Sequence, residues 1–216
     1  MKHLLVTNDF PPKIGGIQNY LFQLWRRMPE GHAVVHTTPH PGAAEFDAQQ
    51  GFEVVRSRMP VLVPGSTNAG KIDALADKVG ADIVVLDPAV PLGAIGPSLT
   101  HPYAVVLHGA EVAIPARLPV AQIVLKKVLS EATMVISAGD YAAGEAERLV
   151  GHELPLVVVP PGVDADRFVP GTADQRAAWR RRHGLDPTVP LVTSLSRLVP
   201  RKGMDTLIDV VKRISE

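Results

Sequence analysis

The chain has 216 residues, more than one average domain and less than two. Its 22 basic and 22 acidic residues balance, so no global field draws it onto nucleic acid, and none is expected as a partner. It has no cysteine, which excludes disulfides, thiolate metal sites and a cysteine nucleophile, and no apolar run approaches the roughly 20 residues that span a bilayer, so any membrane contact is expected to be peripheral.

The first residues run directly into a strand-like segment with no leader-like pattern, and a cytoplasmic location is expected. Short apolar runs follow at 3–7, 33–37, 52–55, 82–86, 103–107, 133–136 and 156–159. Most are β-branched and continuous rather than alternating, the mark of strands covered on both faces of a parallel sheet. Helical spacing fills the gaps at 16–28, 68–79, 121–131 and 140–150. The β-α-β order predicts an α/β fold, a Rossmann-like doubly wound parallel sheet. Ligands then bind beyond the carboxyl ends of the strands.

The loop after the first strand reads Thr7-Asn8-Asp9-Phe10-Pro11-Pro12-Lys13-Ile14-Gly15-Gly16. Glycines opening a helix let a ligand approach free backbone N–H groups, an arrangement suited to phosphate. The dinucleotide fingerprint G-x-G-x-x-G is absent. On the glycines alone, a simple helix cap in a surface loop explains the pair as well.

Further along, Gly65 to Ile72 nearly matches a P-loop, but Ile72 replaces the hydroxyl residue that would hold Mg²⁺. His108-Gly109 ends the run 103–107, on the face where such sheets place their sites. His108 could bond a sugar hydroxyl or simply cap the next helix. The stretch 117–129 mixes basic and apolar residues, including Lys126 and Lys127. It suits either an amphipathic helix on anionic lipid or a buried stripe with snorkelling lysines. His101 and His108 lack a third ligand at metal spacing. The pairs Glu45/Glu53 and Glu145/Glu153 have an E-x7-E spacing but span separate elements.

After residue 159 the chain turns Pro- and Gly-rich. A short helix is predicted at 172–183, a strand at 191–195 and a helix from 203. The turn Ser196-Arg197-Leu198-Val199-Pro200-Arg201-Lys202-Gly203 places two cations between strand and helix, a diphosphate-binding arrangement that needs no metal. Solvated surface charge is the plain alternative. These boundaries give a domain over 1–170, a linker over 171–187 and the start of a second Rossmann-like domain over 188–216, expected to be cut short after its first βα unit.

Together the Gly-Gly loop, His108-Gly109, the segment Pro160-Pro161-Gly162-Val163-Asp164 with Arg167-Phe168-Val169-Pro170, and the Ser196–Gly203 turn resemble the family 4 retaining glycosyltransferases of the two-domain GT-B fold. Within that family the loop from Asn8 to Gln18 looks most like the actinobacterial GDP-mannose-dependent phosphatidylinositol monomannoside mannosyltransferases. The resemblance implies a nucleotide-sugar donor, GDP-mannose, and a phosphoinositide glycolipid acceptor. It implies neither a cofactor nor a metal, and a peripheral place on the anionic inner face of the cell membrane. By the same resemblance, Gly15 and Gly16 bind the donor diphosphate with Arg197 and Lys202, while His108, Arg197 and Lys202 form the catalytic set. Asp9 and Gln18 face the acceptor, and Arg56, Arg58, Lys126 and Lys127 are its candidate anion contacts. The family's E-x7-E carboxylates lie further along than Glu216, so the chain alone is expected to be inactive. Another nucleotide sugar or a soluble acceptor remains open, as does a non-catalytic phosphate-binding module.

Overall fold

The structure, a computed structural model, describes residues 1–113 and 118–214. The chain divides into two compact units, Met1–Gly162 and Val163–Glu216.

In the first unit, β1 (His3–Thr7), α1 (Gly16–Trp25), β2 (Ala33–Thr37), α2 (Ala43–Asp47), β3 (Glu53–Arg56), α3 (Ser66–Val79) and β4 (Ile83–Asp87) follow in order. A 3₁₀ turn (Leu92–Ser98) leads to β5 (Tyr103–Leu107), α4 (Ala110–Ala113), α5 (Pro119–Glu131), β6 (Met134–Ser137), α6 (Asp140–Val150) and β7 (Leu156–Val158). The strands form one sheet in the order β3-β2-β1-β4-β5-β6-β7. Every pairing is parallel. This is the doubly wound, Rossmann-like sheet that the apolar runs predict.

The sheet stays in place because its strands are apolar on both faces. Leu4, Val6, Val84, Leu86, Val105 and Leu107 pack on one side against Ala69 and Ile72 of α3, Leu125 and Leu129 of α5, and Ala142 and Ala146 of α6. Leu5, Val35, Val85 and Val106 pack on the other against Tyr20, Leu21 and Trp25 of α1. A fully buried leucine such as Leu107 contributes about 1.5–3 kcal/mol.

Chain direction reverses its winding between β1 and β4. Both strands end at the same level, with Thr7 opposite Asp87. That is the topological switch point of the sheet, where loops diverge and leave a crevice.

In the second unit, α7 (Ala173–Arg182) is capped at Thr172, whose side chain accepts from the Gln175 amide while the Gln175 side-chain oxygen accepts from the Thr172 amide. A 3₁₀ turn (Pro200–Lys202) and α8 (Met204–Ile214) follow. The strand expected at 191–195 does not form: this segment has no regular structure, is exposed, and pairs with no strand among the described residues. A strand is defined by its ladder, and residues with strand-forming side chains cannot supply one without a neighbour.

Candidate active site

The site of the first unit grows from the ends of three adjacent strands. β1 closes with Thr7, β4 with Asp87, and β5 delivers His108 one residue beyond Leu107. Asp87 is wholly buried. The Thr7 hydroxyl donates to Asp87 Oδ2 at 2.7 Å. His108 Nε2 lies 2.6 Å from Asp87 Oδ1. A carboxylate oxygen only accepts, so the imidazole donates through Nε2. Burial pushes the Asp87 carboxyl above the usual range, and the hydrogen bonds from His108 and Thr7 pull against that rise. Tyr20 of α1 meets the His108 ring edge-to-face, with centroids 5.5 Å apart. The Tyr20 hydroxyl donates to the Val159 carbonyl at 2.7 Å. Burial raises the Tyr20 phenol above its ordinary value, with the Asp87 charge adding to the effect.

The loop from β1 to α1 is held from several sides. The Asp9 amide donates to Thr7 Oγ1 at 2.8 Å. Gln18 Nε2 donates to Asp9 Oδ1 at 2.6 Å. Lys13 Nζ donates to the Asn8 carbonyl at 2.6 Å. Gly15 precedes α1 with extended backbone, and no side chain caps the helix. A Cβ on Gly15 would run into the Gln18 amide oxygen, whereas a Cβ on Gly16 would meet nothing in the protein. The chain's own packing therefore does not explain why Gly16 lacks a side chain. The space in front of the first amides of α1 is open at Gly16. Gly16, Tyr20 and His108 line a cavity of about 410 Å³ with Ala138, Pro160 and Gly162. Gly109, at φ 128°, takes a conformation that disfavours any side chain.

The structure thus brings Asp9, Gln18, Gly15, Gly16 and His108 to one end of one sheet. It treats the remaining candidates differently. Arg56 is committed within the protein: Nε and NH2 grip both Asp47 oxygens at 3.0 and 2.7 Å. Its NH1 donates to the Thr38 carbonyl and its NH2 also to the Pro11 carbonyl. The guanidinium therefore ties the Pro11 carbonyl to Asp47 and Thr38. Arg58 is exposed beside a second cavity of about 430 Å³, with Lys71, Leu62 and Ile72. The segment with the near-P-loop spacing opens α3, with Gly65 before it and Ile72 buried in the core. Lys126 and Lys127 are exposed on α5. Arg117, at the head of that basic and apolar stretch, lies outside the described residues. In the second unit Arg197 and Lys202 are both exposed, with Lys202 closing the 3₁₀ turn just before α8.

Sequence reasoning missed Thr7, Asp87 and Tyr20. A carboxylate closing the apolar run Ile83-Val84-Val85-Leu86 was the available signal. Among the described residues, no three His, Asp or Glu side chains are grouped as a metal site.

Three comparisons bear on this geometry. The family model described as Glycosyltransferase Family 4 matches residues 14–167. A GDP-mannose-dependent alpha-(1-6)-phosphatidylinositol monomannoside mannosyltransferase of Mycolicibacterium smegmatis is 38% identical over 213 residues, 95% of this chain and 55% of the relative. A GDP-mannose-dependent monoacylated alpha-(1-6)-phosphatidylinositol monomannoside mannosyltransferase of Corynebacterium glutamicum is 32% identical, over 99% of this chain and 57% of its own. The chain therefore spans about half the length of these curated relatives. Among solved structures, Anabaena Alr3699/HepE in complex with UDP superposes with a TM-score of 0.72 at 20% identity, covering 99% of this chain and 58% of that one.

Proposed function

The chain belongs to glycosyltransferase family 4, and from that premise we propose that it is part of a retaining mannosyltransferase that moves mannose from GDP-mannose to a phosphatidylinositol mannoside. The observation that carries the reading is the likeness, along nearly the whole chain, to relatives named for that donor and acceptor. The cavity that Gly16 and His108 line supports this reading.

The roles are those that the family resemblance implies. Gly15 and Gly16 present free amides to the diphosphate. Arg197 and Lys202 supply cations that stabilise charge growing on the departing diphosphate. His108 contacts the transferred sugar, and Asp9, oriented by Gln18, faces the acceptor hydroxyl. The hydroxyl attacks from the face the diphosphate leaves, so the configuration at the anomeric carbon is kept and no protein nucleophile is needed.

The acceptor is a lipid, and α5 offers a surface for its membrane. Val120, Ile123, Val124 and Lys127 stand on one exposed helical face, with Leu118 and Lys126 beside them. Such a face lies on anionic lipid through apolar insertion and lysine attraction. No helix among the described residues is long and apolar enough to cross a membrane.

The test is mannosyl transfer by the full-length protein, with GDP-mannose, UDP-glucose and UDP-GlcNAc offered in parallel to phosphatidylinositol monomannoside and to soluble inositol phosphate. Transfer from GDP-mannose to the lipid is expected. Preference for a uridine donor or for the soluble acceptor overturns the assignment.

A further inference from the structure

We infer that Asp87 is a positioning residue for His108, fixing the imidazole through Nε2 so that this nitrogen faces the protein rather than the reacting groups. A carboxylate with no exposed surface is costly unless hydrogen-bonded partners match it. Each oxygen of Asp87 has one: Thr7 takes Oδ2 and His108 takes Oδ1. The rest of β4 is apolar and buried, so sheet packing gives no reason for a charge at its end. A neutral Asn would have satisfied the Thr7 hydroxyl. The feature that calls for a carboxylate is the imidazole.

Among the described residues, several features frame the ring. Register places Thr7 directly opposite Asp87. The Asp9 amide fixes the Thr7 hydroxyl from behind, so its proton points at the carboxylate. β5 delivers His108, one residue past its end, beside that carboxylate. Tyr20 closes another side of the ring, itself held by its bond to the Val159 carbonyl. With Nε2 donating to Asp87, that nitrogen cannot take a proton from an acceptor hydroxyl. His108 therefore serves as an oriented hydrogen-bonding group and not as a general base through Nε2, which leaves deprotonation of the acceptor to another group, such as the departing phosphate.

The ring geometry stands on its own; its effect on turnover rests on the sugar-transfer reading, and the two are tested separately. For the geometry, the chain labelled with ¹⁵N-histidine is observed by long-range ¹H–¹⁵N NMR. His108 is expected as the Nε2–H tautomer with a downfield imide proton, which moves upfield in Asp87→Asn because the bond to a neutral amide is weaker. Thr7→Val leaves the carboxylate in place but frees one oxygen, and it should shift the same proton less; it also serves if Asp87→Asn does not fold. An Nδ1–H tautomer in the native chain, or His108 signals unmoved in the variants, overturns the inference. For turnover, Asp87→Asn in the full-length protein should lower kcat by roughly tenfold to a hundredfold, by analogy with the loss when carboxylates orienting metal-bound histidines are removed. The donor KM should stay within about twofold, as for an interaction realised in the transition state. A rise in KM with unchanged kcat overturns the positioning role. A native protein that transfers no mannose sinks the sugar-transfer reading and leaves the NMR result intact.

Discussion

Asn8 pairs with the backbone of Leu62 as a neighbouring strand would: its Oδ1 accepts from the Leu62 amide at 2.7 Å, and its Nδ2 donates to the Leu62 carbonyl at 2.9 Å. One side chain thereby ties the loop after β3 to the end of β1, beside Asp9. Asn8→Ala leaves both Leu62 groups without this partner. The loss should be about 1–3 kcal/mol in urea denaturation, the cost of stranding partly buried polar groups. Amide exchange should quicken around Leu62 before it does elsewhere. Exchange at Leu62 equal to that of the native protein refutes the tie.

Gly16 offers a test of ligand approach that Gly15, packed against Gln18, does not. A Cβ there meets nothing, and its φ is not in the left-handed region. Gly16→Ala should leave stability within about 1 kcal/mol of the native value, or raise it slightly through reduced unfolded-state entropy. Donor binding, followed by calorimetry with GDP on the full-length protein, should fall sharply. Undiminished affinity would mean that nothing approaches the first turn of α1 closely.

The far end of the sheet carries an acid-sensitive clamp. Asp73 of α3 accepts from the Thr100 amide at 3.0 Å, the His101 amide at 3.3 Å and His101 Nδ1 at 2.9 Å. Burial alone would raise the Asp73 carboxyl, but the bonds from His101 and Thr100 outweigh it and hold the group below the ordinary carboxylate range. A lowered folded value means that the unfolded state binds the proton first. The stabilisation is therefore complete above the unfolded carboxylate value, about 4, and is lost as pH falls through the folded one. Unfolding free energy measured from pH 7 to pH 3 should decline less steeply in Asp73→Asn than in the native chain. Parallel curves would remove Asp73 from the acid response.

The exposed stripe on α5 gives a membrane prediction with an internal control. Ile123 is 71% exposed, so Ile123→Glu removes no core contact and should change stability by less than about 0.5 kcal/mol. Sedimentation with vesicles containing phosphatidylinositol should drop severalfold, and paired Lys126→Gln and Lys127→Gln changes should weaken binding to anionic vesicles alone. Equal binding of native and variant proteins would move the lipid contact off this helix.

Much of the fold was legible because its signals are local. Continuous runs such as Ile83-Val84-Val85-Leu86 announce a strand covered on both faces, and Gly80 and Gly151 end their helices in the left-handed conformation that glycine favours. The short elements α2, α4 and the turn at Leu92–Ser98 were not anticipated, since one or two turns leave too few residues to display a period. Gly15, Gly16 and His108 could be picked out because each stands where a strand hands over to a helix. Arg56 could not be judged that way. A guanidinium reads as an anion contact until Asp47 and the Thr38 and Pro11 carbonyls are seen around it.

By itself the sequence determined the layered parallel sheet, the end of it where the candidate residues gather, and the family to which the chain belongs, all properties written in spacing and side-chain type. Only the tertiary structure decided that Thr7, Asp87 and His108 form one hydrogen-bonded unit, because that depends on the register of β1 against β4, joined across 80 residues of chain. The stretch 191–195 makes the same point from the other side: strand propensity belongs to a segment, but a strand belongs to its neighbours.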